Sequence, residues 1–255
     1  MGVLAQTTGS IPALAHCIFE GMIAALTPAI AIGAAVERGR MLPCLVFIFV
    51  WATLVYDPIA YWTWNPNGWV SRMGGLDFAG GTPVHISSGS AALAYALIVG
   101  KRRAYIKGEG VTPPHNLIHV VIGTVFLWVG WFGFNGGSAA GSNLRAAMAC
   151  VVTNLAASVG GITWVLIGYW SKASQHKWSV VSFCSGAVSG LVAITPGSGY
   201  VPAWAAVIFG VVAGVACYYG TGLKFRFKID DPLDVFAIHA IGGFVGDLLT
   251  YVLLQ

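Results

Sequence analysis

Eight stretches of about 20 mainly apolar residues follow one another along this chain, near positions 12–36, 42–63, 82–100, 117–136, 144–169, 179–196, 202–222 and 233–254. Each is long enough to cross a bilayer as a helix, and only short polar breaks separate them. Hydrophobic residues make up 57% of the 255 positions and charged ones 9%, with 34 glycines, so lipid is the solvent for most of the chain. The expected fold is therefore all-α: a polytopic membrane bundle of about eight spans, as a single domain over 1–255. Glu20 and Pro28 interrupt the first stretch, which is also too long for a cleavable secretory signal; it reads as a retained span.

The formal charge of +4 raises the question of a nucleic-acid partner, and the placement of the basic residues answers it. Arg38 and Arg40, then Lys101, Arg102, Arg103 and Lys107, then Lys172 and Lys177, then Lys224, Arg226 and Lys228 all fall on alternate loops. That is eleven of the thirteen; the intervening loops hold only Arg72 and Arg145. Such alternation is a topology signal that puts the basic loops in the cytoplasm and both chain ends outside. No nucleic-acid partner is expected. Trp62, Trp64, Trp69, Trp128, Trp131, Trp170, Trp178 and Trp204 mostly fall near span ends, where indole rings favour the interface. Cys17, Cys44, Cys150, Cys184 and Cys217 show neither a C-x-x-C pair nor metal-ligand spacing and read as packing residues. Small residues such as Gly160-Gly161 and Ser185-Gly186 with Ser189-Gly190 predict closely packed helices.

One pattern occurs twice. In "LDFAGGTPVHISSG" Asp77, His85 and Gly89 have the spacing D-x7-H-x3-G, and "DPLDVFAIHAIGG" repeats it with Asp231, His239 and Gly243. One copy opens the third stretch and the other the eighth. An odd offset of five helices makes them enter the membrane from opposite sides, the mark of an inverted-topology repeat with a site near the midplane. With each aspartate at its helix start, the histidine lies about 12 Å deeper, so His85 and His239 meet near the middle of the core.

Ionisable groups at that depth are costly and default to function. A ring-to-ring hydrogen bond needs one imidazole to donate and the other to accept, so both are neutral. Such a pair suits an uncharged polar passenger or a relayed proton and opposes sodium or potassium, for which no ring of carbonyls or carboxylates is evident. Zinc wants three or four ligands, and neither histidine has a Cys, His or Glu three or four residues on, so no metal and no cofactor are expected. His16, His115, His119 and His176 receive no role. At the outer mouth, "YDPIAYWTWNPNGW" offers Asp57, Trp62, Trp64 and Trp69, and "GWFGFNGGS" offers Phe132, Phe134, Asn135 and Ser138, which together suit a gate and a cation-binding lip.

The run "LDFAGGTPVHISSGSAALAYALIVGKRR" resembles the signature of the ammonium transporter family, the Amt/Mep proteins related to Rhesus glycoproteins. "AIGAAVERGRMLP", "GWFGFNGGS", "CSGAVSGLVAITPGSGY" and "DDPLDVFAIHAIGG" fit it in the same order, and "YDPIAYWTWNPNGW" is most similar to the fungal Mep branch. The resemblance implies the ammonium-transporter fold, a passenger that is ammonium or ammonia, no enzymatic activity, a homotrimer with one pore per subunit, and the plasma membrane. It also implies roles. His85 and His239 become the twin histidines of the pore, and Asp77 the aspartate that supports recruitment and holds its helix start. Trp64 and Ser138 form the ammonium-binding lip, and Phe134 is the inner ring of the gate. Ile23 stands where the outer ring is a phenylalanine, and Glu20 where glutamine is frequent. Family members have eleven spans, so this chain is expected to be a truncated form holding the third to the tenth. A sensor of ammonium, a non-conducting fragment, and a membrane enzyme or metal protein are the rival readings.

Overall fold

The computed structural model describes residues 7–8, 10–107, 113–171 and 176–254. Among the described residues eight longer apolar helices carry the fold: α1 (Ala13–Ala35, its last turn 3₁₀), α2 (Met41–Trp51, a π-helical turn Ala52–Tyr56, then Asp57–Trp64), α3 (Gly81–Val99), α4 (Leu117–Gly137), α5 (Leu144–Trp170), α6 (Val180–Ile194), α7 (Ala203–Gly220) and α8 (Phe236–Leu253). Their ends fall within three residues of the expected stretches. A ribbon of two residues per strand, β1 (Thr7–Thr8) and β2 (Ile11–Pro12), precedes α1.

Among the described residues seven helices are long and apolar enough to cross a membrane by themselves. The difference from eight is α6, whose 15 residues rise only ~22 Å. It ends in a buried turn around Thr195, Pro196 and Ser198 and is shielded from lipid: Gly186, Ala187 and every residue from Ser189 to Ile194 are buried. Gly160 of α5 meets the backbone of Gly186 and Gly190 in α6, and Gly210 of α7 meets that of Ala156 in α5, so the small residues do set close packing among these three helices. Outward faces carry Leu144, Ile98, Phe49 and Met22, all exposed in the chain itself as a lipid-facing surface requires. All five cysteines are free thiols; Cys184 and Cys217 are buried, while Cys17 is exposed.

Local sequence explains the helix starts. Asn116 accepts from the N–H groups of Ile118 and His119, Asn143 from Ala146, and Ser179 from Ser182, so α4, α5 and α6 each open on a side-chain cap.

The basic loops gather on one side. Asp230, before α8, receives Arg102 Nε and Nη2 at 2.9 Å each and the Arg102 backbone N–H at 2.8 Å. Arg38 reaches the same aspartate at 3.4 Å and the Gly100 carbonyl, and Glu37 takes Arg102 Nη1 at 2.7 Å. The ends of α1 and α3 and the approach to α8 are thereby joined by charges that are 2% exposed at Asp230 and 7% at Arg102. Burial works to raise the Asp230 carboxyl, but the hydrogen bonds and charge of Arg102 outweigh it and hold the group below its ordinary value. Lys224 lies on this side too, 2.7 Å from Asp234. Lys172 and both chain ends lie outside the described residues. At the other side Arg145 sits over the Tyr200 ring, which meets Phe78 edge-on beside Asp77.

Candidate functional site

The motif helices α3 and α8 cross in antiparallel sense: the opening turn of each packs against the body of the other. Asp77 takes the N–H groups of Gly80, Gly81 and Thr82, each at 2.8 Å, and Gly80 makes the required bend at φ +117°. At α8 the counterpart Asp231 accepts from Phe236 N–H at 2.9 Å. The two helices therefore begin four and five residues after their aspartates rather than at them. His85 is the fifth residue of α3, which corrects the premise behind the expected depth of about 12 Å, that the helix starts at the aspartate. Each histidine sits in an opening π-helical turn, Gly81–Ile86 or Phe236–Ile241.

The two imidazoles meet. Their Nδ1 atoms are 3.2 Å apart, with ring planes 40° apart. The motif glycines make this approach possible. Gly89 faces the backbone of Ala240, next to His239, and Gly243 faces the Gly81 carbonyl and the His85 side chain. His85 is fully buried, and among the described residues its Nε2 has no partner. Trp131 stacks on it with ring centres 5.3 Å apart and planes within 16°, and Phe134 meets it edge-on at 6.2 Å. Trp131 also donates Nε1–H to Thr195 Oγ1 at 2.9 Å. This tryptophan was expected in the interfacial belt; it is instead buried beside the histidines because it lies well inside α4, and an indole at mid-span was the signal available.

Two cavities lie along α1, and the larger one reaches the pair at His239. One, of about 140 Å³, is lined among others by His16, Glu20, Ile23, Trp64, Phe78 and Ser138, on the side of the Asp77 end. The other, of about 380 Å³, reaches from Leu26 and Leu127 to Trp131, Val188 and His239. Ile23, on the wall of the smaller cavity, and Trp131, on that of the larger, belong with Phe134 to one buried apolar cluster. Trp64 is fixed by donating Nε1–H to the Asp77 carbonyl at 2.9 Å, and Ser138 Oγ donates to the Phe134 carbonyl at 2.9 Å, leaving its lone pairs free to accept. Asp77 itself is buried behind Trp64, its carboxylate occupied by the three amides.

The remaining mouth residues stay out of this arrangement. Trp62 and Trp69 pack against each other on the exposed surface, and Asn135 ties α4 to α5 by donating to Thr153 Oγ1 at 2.8 Å. His16, to which the sequence assigned nothing, lines the smaller cavity. Asp247 in α8 also escaped notice; its Oδ2 accepts from Thr82 Oγ1 at 2.6 Å, beside the Asp77 cap. Among the described residues no three His, Cys, Asp or Glu side chains are grouped to hold a metal ion.

The sequence model described as "Ammonium Transporter Family" matches residues 1–255. The chain belongs to the ammonium transporter family. It is 59% identical over 250 residues to Ammonium transporter 1 of Schizosaccharomyces pombe, covering 98% of this chain and 49% of that protein. The crystal structure of Candida albicans Mep2 superposes with a TM-score of 0.89 at 47% identity, over 96% of this chain and 54% of that one. That of Saccharomyces cerevisiae Mep2 gives 0.90 at 47% identity, over 96% and 56%. The expected fold, a helical membrane bundle of the ammonium-transporter kind, is thus established, and the family is one of transporters rather than enzymes. The chain spans about half the length of the curated relatives it matches.

Proposed function

We propose that this chain forms the pore-bearing part of a plasma-membrane ammonium transporter and moves ammonia through the His85/His239 pair. The observation that carries the reading is the 3.2 Å Nδ1–Nδ1 contact between the two imidazoles, with His239 on the wall of the larger cavity. Ammonium is recruited at the smaller cavity, its charge against the Trp64 face and an N–H donated to Ser138 Oγ, within the field of Asp77. Beyond that lip stand Ile23 and Phe134, where a naked ion pays several kcal/mol of desolvation even after relaxation, whereas ammonia crosses as a neutral molecule.

The proton left behind has a balanced route. His85 donates Nδ1–H to His239 Nδ1 and keeps Nε2 as an acceptor, and His239 carries its single ring proton on Nε2. A proton accepted at His85 Nε2 shifts the Nδ1 proton across to His239, which releases its Nε2 proton on the far side. We place the basic side in the cytoplasm, and take the active assembly to be a homotrimer in which 1–255 is one continuous domain of a longer protein.

Purified protein in liposomes tests this: an ammonium gradient is expected to drive a current that the H85A/H239A double substitution abolishes. An unchanged current in the double variant overturns the mechanism. The half-length coverage favours one second reading, that conduction needs the rest of the transporter; current from a longer form but none from this chain decides for it.

A further inference from the structure

Glu20 is a carboxylate eight residues into α1, ~10 Å from the helix start, on the wall of the smaller cavity. Acidic groups persist at such depth when they have a charge to meet. Among the described residues no Lys or Arg pairs with it. Its nearest ionic neighbour is His16 Nδ1 at 3.6 Å, beyond hydrogen-bond range, and 41% of the Glu20 side chain stays exposed. Ile23, one turn on and facing the same cavity, gives a cation neither charge nor a π face. Trp64 and Ser138 line the same cavity.

We infer that Glu20 is the cation-holding carboxylate of this cavity, binding ammonium or a small primary ammonium ion between itself, Trp64 and Ser138, in place of an aromatic contact at Ile23. The inference rests on the transport reading for its substrate class but concerns binding. A cation with N–H donors satisfies the carboxylate and the hydroxyl together, and the indole covers its remaining face.

Calorimetric titration of the detergent-purified protein with methylammonium chloride tests it. E20Q, which keeps the shape and removes the charge, is expected to weaken binding about fivefold, while E20D, which keeps the charge, is expected to retain most of it. Wild-type affinity is expected to fall between about 20 and about 200 mM N-methylglucamine chloride, and that of E20Q to stay flat. E20Q binding like wild type, a salt-independent wild type, or no wild-type binding overturns the inference. Binding that depends on Glu20 without any current leaves it standing and removes the transport reading; current with a neutral E20Q does the reverse.

Discussion

Gly89 of α3 lies against the backbone of Ala240 in α8, so close that a Cβ at position 89 would collide with main-chain atoms. Main chain cannot swing aside as a side chain can, so G89V is expected to push the start of α8 away and part the imidazoles. Overpacking of this kind costs about 1–3 kcal/mol. A lowered melting temperature in detergent together with lost ammonium flux is the expected result, and G243V is expected to match it from the other helix, where it meets the Gly81 carbonyl.

Trp131 holds the His85 ring by stacking and is itself tied to Thr195. T195V, nearly isosteric, is expected to cost about 0.6–1.7 kcal/mol, the range for hydrogen bonds between membrane helices. W131A removes a buried ring as well and is expected to cost about 3–5 kcal/mol. Chemical denaturation of the two variants in parallel measures both, and equal losses would show that the stack contributes nothing.

The aspartates of the repeated motif carry unequal loads, three amides at Asp77 against one at Asp231. Bonds to a charged acceptor contribute about 1.5–3 kcal/mol each. D77A is therefore expected to destabilise the protein more than D231A, with D77N in between because its amide oxygen still accepts. Hydrogen exchange at residues 80–82 locates the loss.

Asp230 sets a pH limit on the basic side. Its carboxyl is held below the ordinary value, so its contribution to stability is complete above the unfolded-state pKa of about 3.9 and disappears as pH falls through the lower folded value. Melting temperatures from pH 7 to about pH 3 are expected to drop at the acid end in wild type and less so in D230N. R38A/R102A, which removes both cations from the buried carboxylate, is expected to cost about 3–5 kcal/mol near neutrality.

Spans are legible in this sequence because lipid rewards apolar side chains on every outward face, and hydropathy reports that directly. The shortness of α6 is less so: the expected stretch runs to 196, two residues past its end at Ile194, and hydropathy does not report that its neighbours shield it. The histidine pair is legible through its duplicated spacing. Where the helices start is not, because an aspartate can reach across a glycine bend to amides several residues on. Trp131 and His16 were hidden for a related reason. Residue type does not say which face of a helix meets a cavity, and that face follows from how α1, α3, α4 and α8 pack. The basic residues were legible as a statement about sides of the membrane, while the joining of Arg38 and Arg102 on one aspartate depends on loops far apart in the chain.

The π-helical turns that open α3 and α8 have a consequence for phase. An α-helix advances about 100° per residue, so the extra residue in a wider turn rotates everything downstream relative to the cap by nearly that angle. His85 and Gly89 face α8, and His239 and Gly243 face α3, only with that offset in place. Tightening either turn to α-helix with the same number of residues would leave the cap in place and aim the histidine elsewhere: the turn works as an indexing step, and the pair meets because both helices are clocked by the same amount.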